Sequence, residues 1–169
     1  MISKQSNIKY TLGILPTGAA GTRATLKEMA KIVRKFRHHP TIREKALSLT
    51  QGLRQKNYTG EAKRIHEFVR DGIRYVKDVR GVETLQWPVH TLEYFKQGDC
   101  DDKSMLVSSL LESVGHKTRF VAVGLRAGTF QHVFVQTKIG NRWWNVETTE
   151  PWPFGKGPGK MPSVMIEHV

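Results

Sequence analysis

The only cysteine of this chain is the residue best suited to nucleophilic chemistry. Cys100 lies in the run Gly98-Asp99-Cys100-Asp101-Asp102, where a loop is predicted to become a helix. Unpaired N–H groups and the positive end of the helix dipole at such a position favour the thiolate, which is the nucleophilic form. The alternative is a buried structural thiol, because free cysteines are among the most buried residues.

A histidine and an acid follow on two predicted strands. Residues 131–137 and 142–147 read as an antiparallel hairpin, with His132 near its start and Glu147 at its end. A loop over residues 139–140 or 138–141 pairs Glu147 with His132. A loop over 140–141 moves Glu147 to a diagonal position on the same face, because side chains alternate along a strand.

These three side chains have the chemistry of a thiol triad. The Glu147 carboxylate would hold one imidazole nitrogen of His132, and the other nitrogen would take the proton of Cys100. The thiolate would then attack an acyl carbon, with the backbone N–H of Cys100 placed to bind the developing oxyanion.

Three acids flank the thiol and work in two directions. Asp99, Asp101 and Asp102 are suited to capping the helix, but their negative charge raises the pKa of a neighbouring thiol. Together with Cys100 and His132 they are also possible metal ligands. A structural zinc site usually needs two or more Cys/His pairs at short spacing, so no metal site is predicted.

The predicted elements position these residues. Capping boxes at Thr25–Glu28 and Thr41–Glu44 predict helices that continue to Phe36 and Leu49, and a third helix is expected over 61–74. Residues 75–97 read as mostly irregular.

The second half supplies the site. A helix capped by Asp99 is expected to run to about Val114, followed by a buried strand over 119–124 and then the hairpin. The Gly/Pro-rich segment 151–169 is expected to be an extended strap or a partly disordered tail. The remaining histidines read as surface or filler positions: His38, His39, His66, His90, His116 and His168.

Taken together, these motifs resemble the transglutaminase-like superfamily. The resemblance covers about residues 60–150 and rests on four segments, Gly98–Ser104, Leu110–Arg119, His132–Val135 and Trp143–Glu147. Within that range, residues 75–92, upstream of the cysteine, are similar to the phage- and prophage-encoded branch of the superfamily. It implies an α+β fold with a papain/transglutaminase-like core, in which a Cys-bearing helix packs on a small antiparallel sheet beside a helical N-terminal region.

The resemblance also implies roles. Cys100 is the nucleophile, His132 the general base and acid, and Glu147 the orienting acid, where family members more often have Asp. Gln86 or Trp87 would complete an oxyanion hole with the Cys100 backbone, although core packing is the favoured role for Trp87. No organic cofactor or metal is implied, and there is no room for the accessory barrels of calcium-regulated crosslinkers.

The net charge of +12 is confined to the first half of the chain. Residues 1–80 hold 18 Lys and Arg against 6 Asp and Glu, whereas residues 81–169 hold 9 of each. This asymmetry indicates either an anionic partner, nucleic acid or an acidic protein surface, or a solvated basic face. The candidate anion-binding residues are Lys27, Lys31, Arg34 and Lys35.

We therefore predict a single domain over 1–169, with a basic helical region (1–58), a catalytic core (59–150) and a tail (151–169). The predicted function is a cysteine hydrolase or acyltransferase that acts on amide bonds of a protein or peptide; the alternative is an inactive scaffold that binds an anionic partner. One cysteine, no apolar run in residues 1–7 and no membrane-spanning stretch predict a cytoplasmic protein, in the host cytosol or on the virion if phage-encoded.

Overall fold

A computed structural model describes residues 17–78 and 84–169; the amino-terminal residues 1–7 and the motif residues Gly81–Glu83 lie outside that range. The helices are α1 (Gly18–Phe36), α2 (Pro40–Thr50), α3 (Tyr58–Gly72), α4 (Pro88–His90), with a π-helical turn over Thr91–Phe95, and α5 (Cys100–Ser113). The strands are β1 (Arg74–Tyr75), β2 (Gln97–Gly98), β3 (Lys117–Gly124), β4 (His132–Ile139), β5 (Arg142–Val146) and β6 (Ser163–His168).

Two sheets order these elements. The larger is antiparallel, with strand order β5-β4-β3-β6, and the smaller pairs β1 with β2 in parallel, which sets Tyr75 beside Gly98. Helices and a small antiparallel sheet make up an α+β fold, as the sequence predicts. None of the helices in the described part of the chain has the length and hydropathy needed to cross a membrane.

Helix α5 is the centre of the core. Every residue from Asp101 to Leu111 is buried, because α1, α2 and α3 pack on one side of the helix and β3 and β4 on the other. Leu106 and Leu110 meet Phe120 and Val135 of the sheet in one continuous hydrophobic cluster.

The amino-terminal helices begin earlier than the capping boxes predict. Helix α1 starts at Gly18, so Thr25 lies inside it and is buried in the core; its predicted role as a cap is wrong. Helix α2 starts at Pro40, where the His39 ring accepts a hydrogen bond from the Thr41 N–H. Helix α3 starts at Tyr58 under an Asn57 cap.

Two segments read as irregular contain regular structure. Residues 75–97 include part of β1, α4, the π-helical turn and β2. The segment 151–169, predicted to be an extended strap or a partly disordered tail, ends in a regular strand, because Ser163–His168 pairs along β3 from Arg119 to Gly124. The Gly/Pro-rich composition of the tail gave no indication of this six-residue strand, in which Val164 is exposed and Met165 is buried.

Candidate active site

The hairpin brings a histidine and a glutamate together. Strand β4 begins at His132, and the pairing of Ile139 with Arg142 leaves Gly140 and Asn141 as the loop. This is the third of the loops considered, and it places Glu147 one position beyond β5 on the His132 face. The two side chains meet with 2.6 Å between His132 Nε2 and Glu147 Oε2.

The carboxylate of Glu147 is buried but well supplied with donors. Its second oxygen accepts hydrogen bonds from the Thr149 N–H at 2.8 Å and from the Thr149 hydroxyl at 2.7 Å. Burial by itself raises the pKa of Glu147, but the hydrogen bonds from His132 and Thr149 outweigh it, and the pKa is lowered. The lowered pKa favours the anionic form of Glu147, which lies in hydrogen-bond contact with the imidazole of His132.

A second histidine holds the main chain at Glu147. His66 on α3 is fully buried, and its Nε2 lies 2.6 Å from the Glu147 carbonyl oxygen. Burial lowers the pKa of His66, so the neutral ring donates this hydrogen bond. The prediction of a surface or filler position is wrong. Its signal was visible, since Ala62, Ile65 and Val69 place His66 on the apolar face of α3.

The thiol lies at the first position of α5, as predicted. The Asp99 carboxylate caps the helix by accepting hydrogen bonds from the Asp101 and Asp102 N–H groups at 2.9 and 3.1 Å. The Asp102 carboxylate in turn accepts a hydrogen bond from the Asp99 N–H at 3.4 Å, which completes a capping box. The cap fixes the direction in which Cys100 leaves the backbone.

Two contacts join the first turn of α5 to the start of β4. The Val133 carbonyl accepts a hydrogen bond from the Ser104 hydroxyl at 3.3 Å, and the Val133 backbone N–H is close enough to the Cys100 sulfur to lower the pKa of the thiol. The thiol therefore lies beside the residue that follows His132. Because Glu147 holds Nε2, the remaining Nδ1 is the nitrogen suited to take a proton from sulfur.

The environment of Cys100 favours the neutral thiol. Burial raises the pKa of Cys100 most, and the negative charges of Asp101 and Asp99 raise it further, while the Val133 N–H lowers it. The thiol itself donates to Asp101 Oδ1 at 3.6 Å. The expectation that the helix terminus favours the thiolate is thus reversed by burial and by the flanking acids. The ligand atoms of Asp99, Cys100 and Asp101 lie within 4.8 Å of one another.

Asp102 ties the upstream segment to α5. Its Oδ1 accepts the Gln86 N–H at 2.8 Å, and a side chain at Gly98 would come within 2.5 Å of the Asp102 Cβ. Burial and the nearby charge of Asp99 raise the pKa of Asp102 to about 7. The glycine and the aspartate of the motif are therefore needed for close packing below the thiol.

The two side chains considered for the oxyanion hole have other contacts. The Gln86 side-chain oxygen accepts from the Thr91 hydroxyl at 3.4 Å. The Trp87 ring packs against Phe36 and His90, each with 5.3 Å between ring centroids. Trp87 therefore has the core-packing role that the sequence favours over a role in the oxyanion hole. The Cys100 N–H lies in the first turn of α5, where helical N–H groups lack intrahelical partners.

Sequence reasoning missed two further residues near the thiol. Tyr75 is 41% exposed and pairs with Gly98, two residues before the thiol, and burial followed by the charges of Cys100, Asp99 and Asp101 raises its pKa. The buried Lys103 donates to the Ile73 carbonyl at 2.6 Å, and burial lowers its pKa to about 8. The β1–β2 pairing that positions Tyr75 has no signal in sequence spacing.

The candidate anion-binding residues lie apart from the thiol, on α1. Lys27, Lys31, Arg34 and Lys35 are exposed, and Lys31 pairs with Glu28 at 3.1 Å.

The family model described as "Transglutaminase-like superfamily" matches residues 43–148, which include all three residues of the candidate triad. No curated protein sequence matches this chain.

Two solved structures share the fold. A candidate protease from Parabacteroides distasonis is 12% identical, with a TM-score of 0.57 over 75% of this chain and 27% of that one. A candidate cysteine protease from Cytophaga hutchinsonii is 11% identical, with a TM-score of 0.55 over 84% of this chain and 55% of that one. The chain thus spans about a quarter and about half of the lengths of these two proteins.

Proposed function

The chain belongs to the transglutaminase-like superfamily, and on that basis we propose that it is a cysteine hydrolase or acyltransferase acting on amide bonds. The observation that carries this proposal is the direct 2.6 Å contact between the base, His132, and its acid, Glu147. The next residue on the strand, Val133, lies beside the Cys100 sulfur.

The proposed reaction has two halves. The Cys100 proton passes to His132 Nδ1 as sulfur attacks the carbonyl carbon, and the Cys100 N–H stabilises the oxyanion. His132 then gives the proton to the leaving amine, and a thioester remains. In the second half His132 takes a proton from water, which attacks the thioester and releases a carboxylic acid and the free thiol. An amine in place of water would give transamidation.

The raised pKa of Cys100 fixes the timing of the first proton transfer. A thiol that is neutral at rest must lose its proton to the base during attack. The anion of Glu147 supports this step because it stabilises the imidazolium that forms. We therefore propose a general-base mechanism rather than a preformed ion pair.

Casein provides a test with both outcomes of the second half-reaction. We expect the chain to cleave or deamidate casein, or to attach dansylcadaverine to it, and a mass spectrum to show an acyl group on Cys100 that hydroxylamine removes. Cys100→Ser and His132→Gln should each lower turnover at least about 100-fold, whereas the exposed His38→Gln should not. Full turnover by Cys100→Ser would contradict the proposal.

The second candidate is a scaffold with little or no turnover that binds an anionic partner. It is favoured by the suppressed thiolate and by the exposed basic face of α1. Partner binding that is unchanged by Cys100→Ser, in a chain without turnover, would support it.

The likeness of residues 75–92 to the phage- and prophage-encoded branch also leads us to propose a phage or prophage origin. The genes that flank the coding sequence test this origin.

A further inference from the structure

A cleft of about 580 Å³ opens between the end of α1, the start of α2 and the segment from Trp87 to Tyr94. Its walls are unusually aromatic and include Phe36, Trp87, His90 and Tyr94. The triad does not use this cleft.

The rings form a platform with one open end. Trp87 packs against Phe36 and stacks on His90, each at 5.3 Å between ring centroids. Tyr94 meets His90 edge-on at 5.7 Å and is itself 64% exposed. The inner rings are thus fixed by packing, while the outer ring is available to a flat ligand.

A lysine sets the charge that this cleft accepts. Lys35 Nζ lies 4.8 Å from the Trp87 ring centroid, so an ammonium group already occupies the face of the indole. A cationic ligand would be repelled there, and an anionic group would be attracted. Glu93 is the acidic residue among those that line the cleft, and it is exposed at the rim.

A row of cations leads along α1 to this lysine. The exposed residues Arg23, Lys27, Lys31, Arg34 and Lys35 recur at helical spacing on one side of α1. Arg23 and Lys35 are twelve positions apart, so at a rise of about 1.5 Å per residue the row is about 18 Å long. A row of cations that ends at an aromatic platform is the arrangement by which proteins hold single strands of nucleic acid.

We propose that α1 and this cleft bind single-stranded nucleic acid, with phosphates along the basic row and one base stacked on the aromatic platform. A duplex cannot use the platform, because its bases are stacked on each other. The proposal deepens the second candidate function and is independent of turnover at Cys100.

Fluorescence anisotropy of a labelled twelve-nucleotide oligo(dT) tests the proposal. Lys27→Glu/Arg34→Glu should lower the slope of log affinity against log salt by about 1.4, since each single-strand phosphate contact contributes about 0.7. The control Lys63→Glu/Lys138→Glu makes the same change in net charge on exposed residues outside α1. Equal effects of the two pairs would overturn the proposal.

Tyr94→Ala tests the platform. Loss of one stacking partner should weaken oligo(dT) binding about 5- to 100-fold, while Tyr58→Ala, another exposed tyrosine, should leave it unchanged. Circular dichroism establishes that each variant is folded.

Three competitors distinguish the remaining outcomes. Duplex DNA that binds as tightly as oligo(dT), or thymidine monophosphate that competes equally well, would overturn the single-strand proposal. Poly-glutamate that binds in preference, with the same sensitivity to Lys27→Glu/Arg34→Glu, would also overturn it but would leave an acidic protein partner as the second candidate function.

Discussion

Glu147 and Asp102 are both buried carboxylates near the thiol, with 1% and 0% exposure, yet their pKa values move in opposite directions. Glu147 has a lowered pKa because His132 and both donors of Thr149 outweigh the cost of burial. Asp102 has a pKa raised to about 7 because burial and the charge of Asp99 outweigh its two backbone donors. The neighbours of a buried acid, more than its burial, determine whether it is ionised.

The difference separates two tasks around Cys100. In the proposed mechanism, Glu147 supplies a permanent charge that supports the base, whereas Asp102 packs the first turn of α5 next to Asp99 and Asp101, which keep the thiol neutral. The proposal therefore assigns activation of the thiol to His132 and Glu147. Four substitutions test this contrast.

Glu147→Gln should have the largest effect. It removes the charge that stabilises the His132 imidazolium, so kcat should fall about 10²- to 10⁴-fold. The control is the exposed neighbour Glu150→Gln, which should retain activity. Initial rates on casein measure the effect, and a Glu147→Gln enzyme of normal kcat would remove the orienting role from Glu147.

His66→Phe should act next, through the main chain at Glu147. It leaves a buried carbonyl without its 2.6 Å partner, which should cost about 1–3 kcal/mol of unfolding free energy, and kcat should fall as Glu147 shifts. His66→Gln retains an N–H donor and should recover part of both losses. Urea unfolding and casein turnover are the measurements; equal behaviour of Phe and Gln at position 66 would exclude this hydrogen bond as the cause.

Asp102→Asn should change how stability depends on pH. Between the unfolded value of 3.8 and the folded value of about 7, the folded chain keeps a proton that the unfolded chain releases. The contribution of Asp102 to the unfolding free energy therefore rises as pH falls through this window, by up to about 1.4 kcal/mol per pH unit. Asparagine should abolish that slope, whereas the exposed Asp71→Asn should not. Urea midpoints at pH 5, 6 and 7 check it, and an unchanged slope would count against an ionisable Asp102.

Asp101→Asn should have the smallest effect, on the nucleophile alone. Removal of a like charge beside sulfur lowers the pKa of Cys100, and alkylation by iodoacetamide at pH 7.5 should become about fivefold faster. The same reaction with Asp71→Asn provides the control. An unaltered rate would mean that the charge of Asp101 does not suppress the thiolate and would leave burial and Asp99 as the causes.

The hairpin shows how far the sequence predicts this site. Alternation along the strands placed Glu147 on the His132 face for each even loop length, and the structure has the Gly140–Asn141 loop with Gly140 at a φ of +60°. Alternation alone does not choose among the three loops, but the Gly140-Asn141 dipeptide is itself a two-residue hairpin signal. The predicted cap at Asp99 is local in sequence and is confirmed, and the structure adds its reciprocal contact with Asp102.

Contacts between segments that are far apart in the chain could not be predicted from the sequence. His66 reaches Glu147 across 81 residues, and Val133 of β4 lies beside Cys100 of α5. Both depend on how α3 and α5 pack, although a histidine on an apolar helix face was a usable signal. The rise in the pKa of Cys100 likewise follows from burial that only the tertiary fold creates.

The position of β6 has a consequence for the order in which the protein is made. A ribosome completes β3 at Gly124 well before it reaches Ser163, so the edge of β3 that carries Val121 and Val123 stays unpaired in the nascent chain. An open apolar edge of this kind pairs readily with other chains. Deletion of Ser163–Val169 is therefore expected to increase aggregation of the protein during expression.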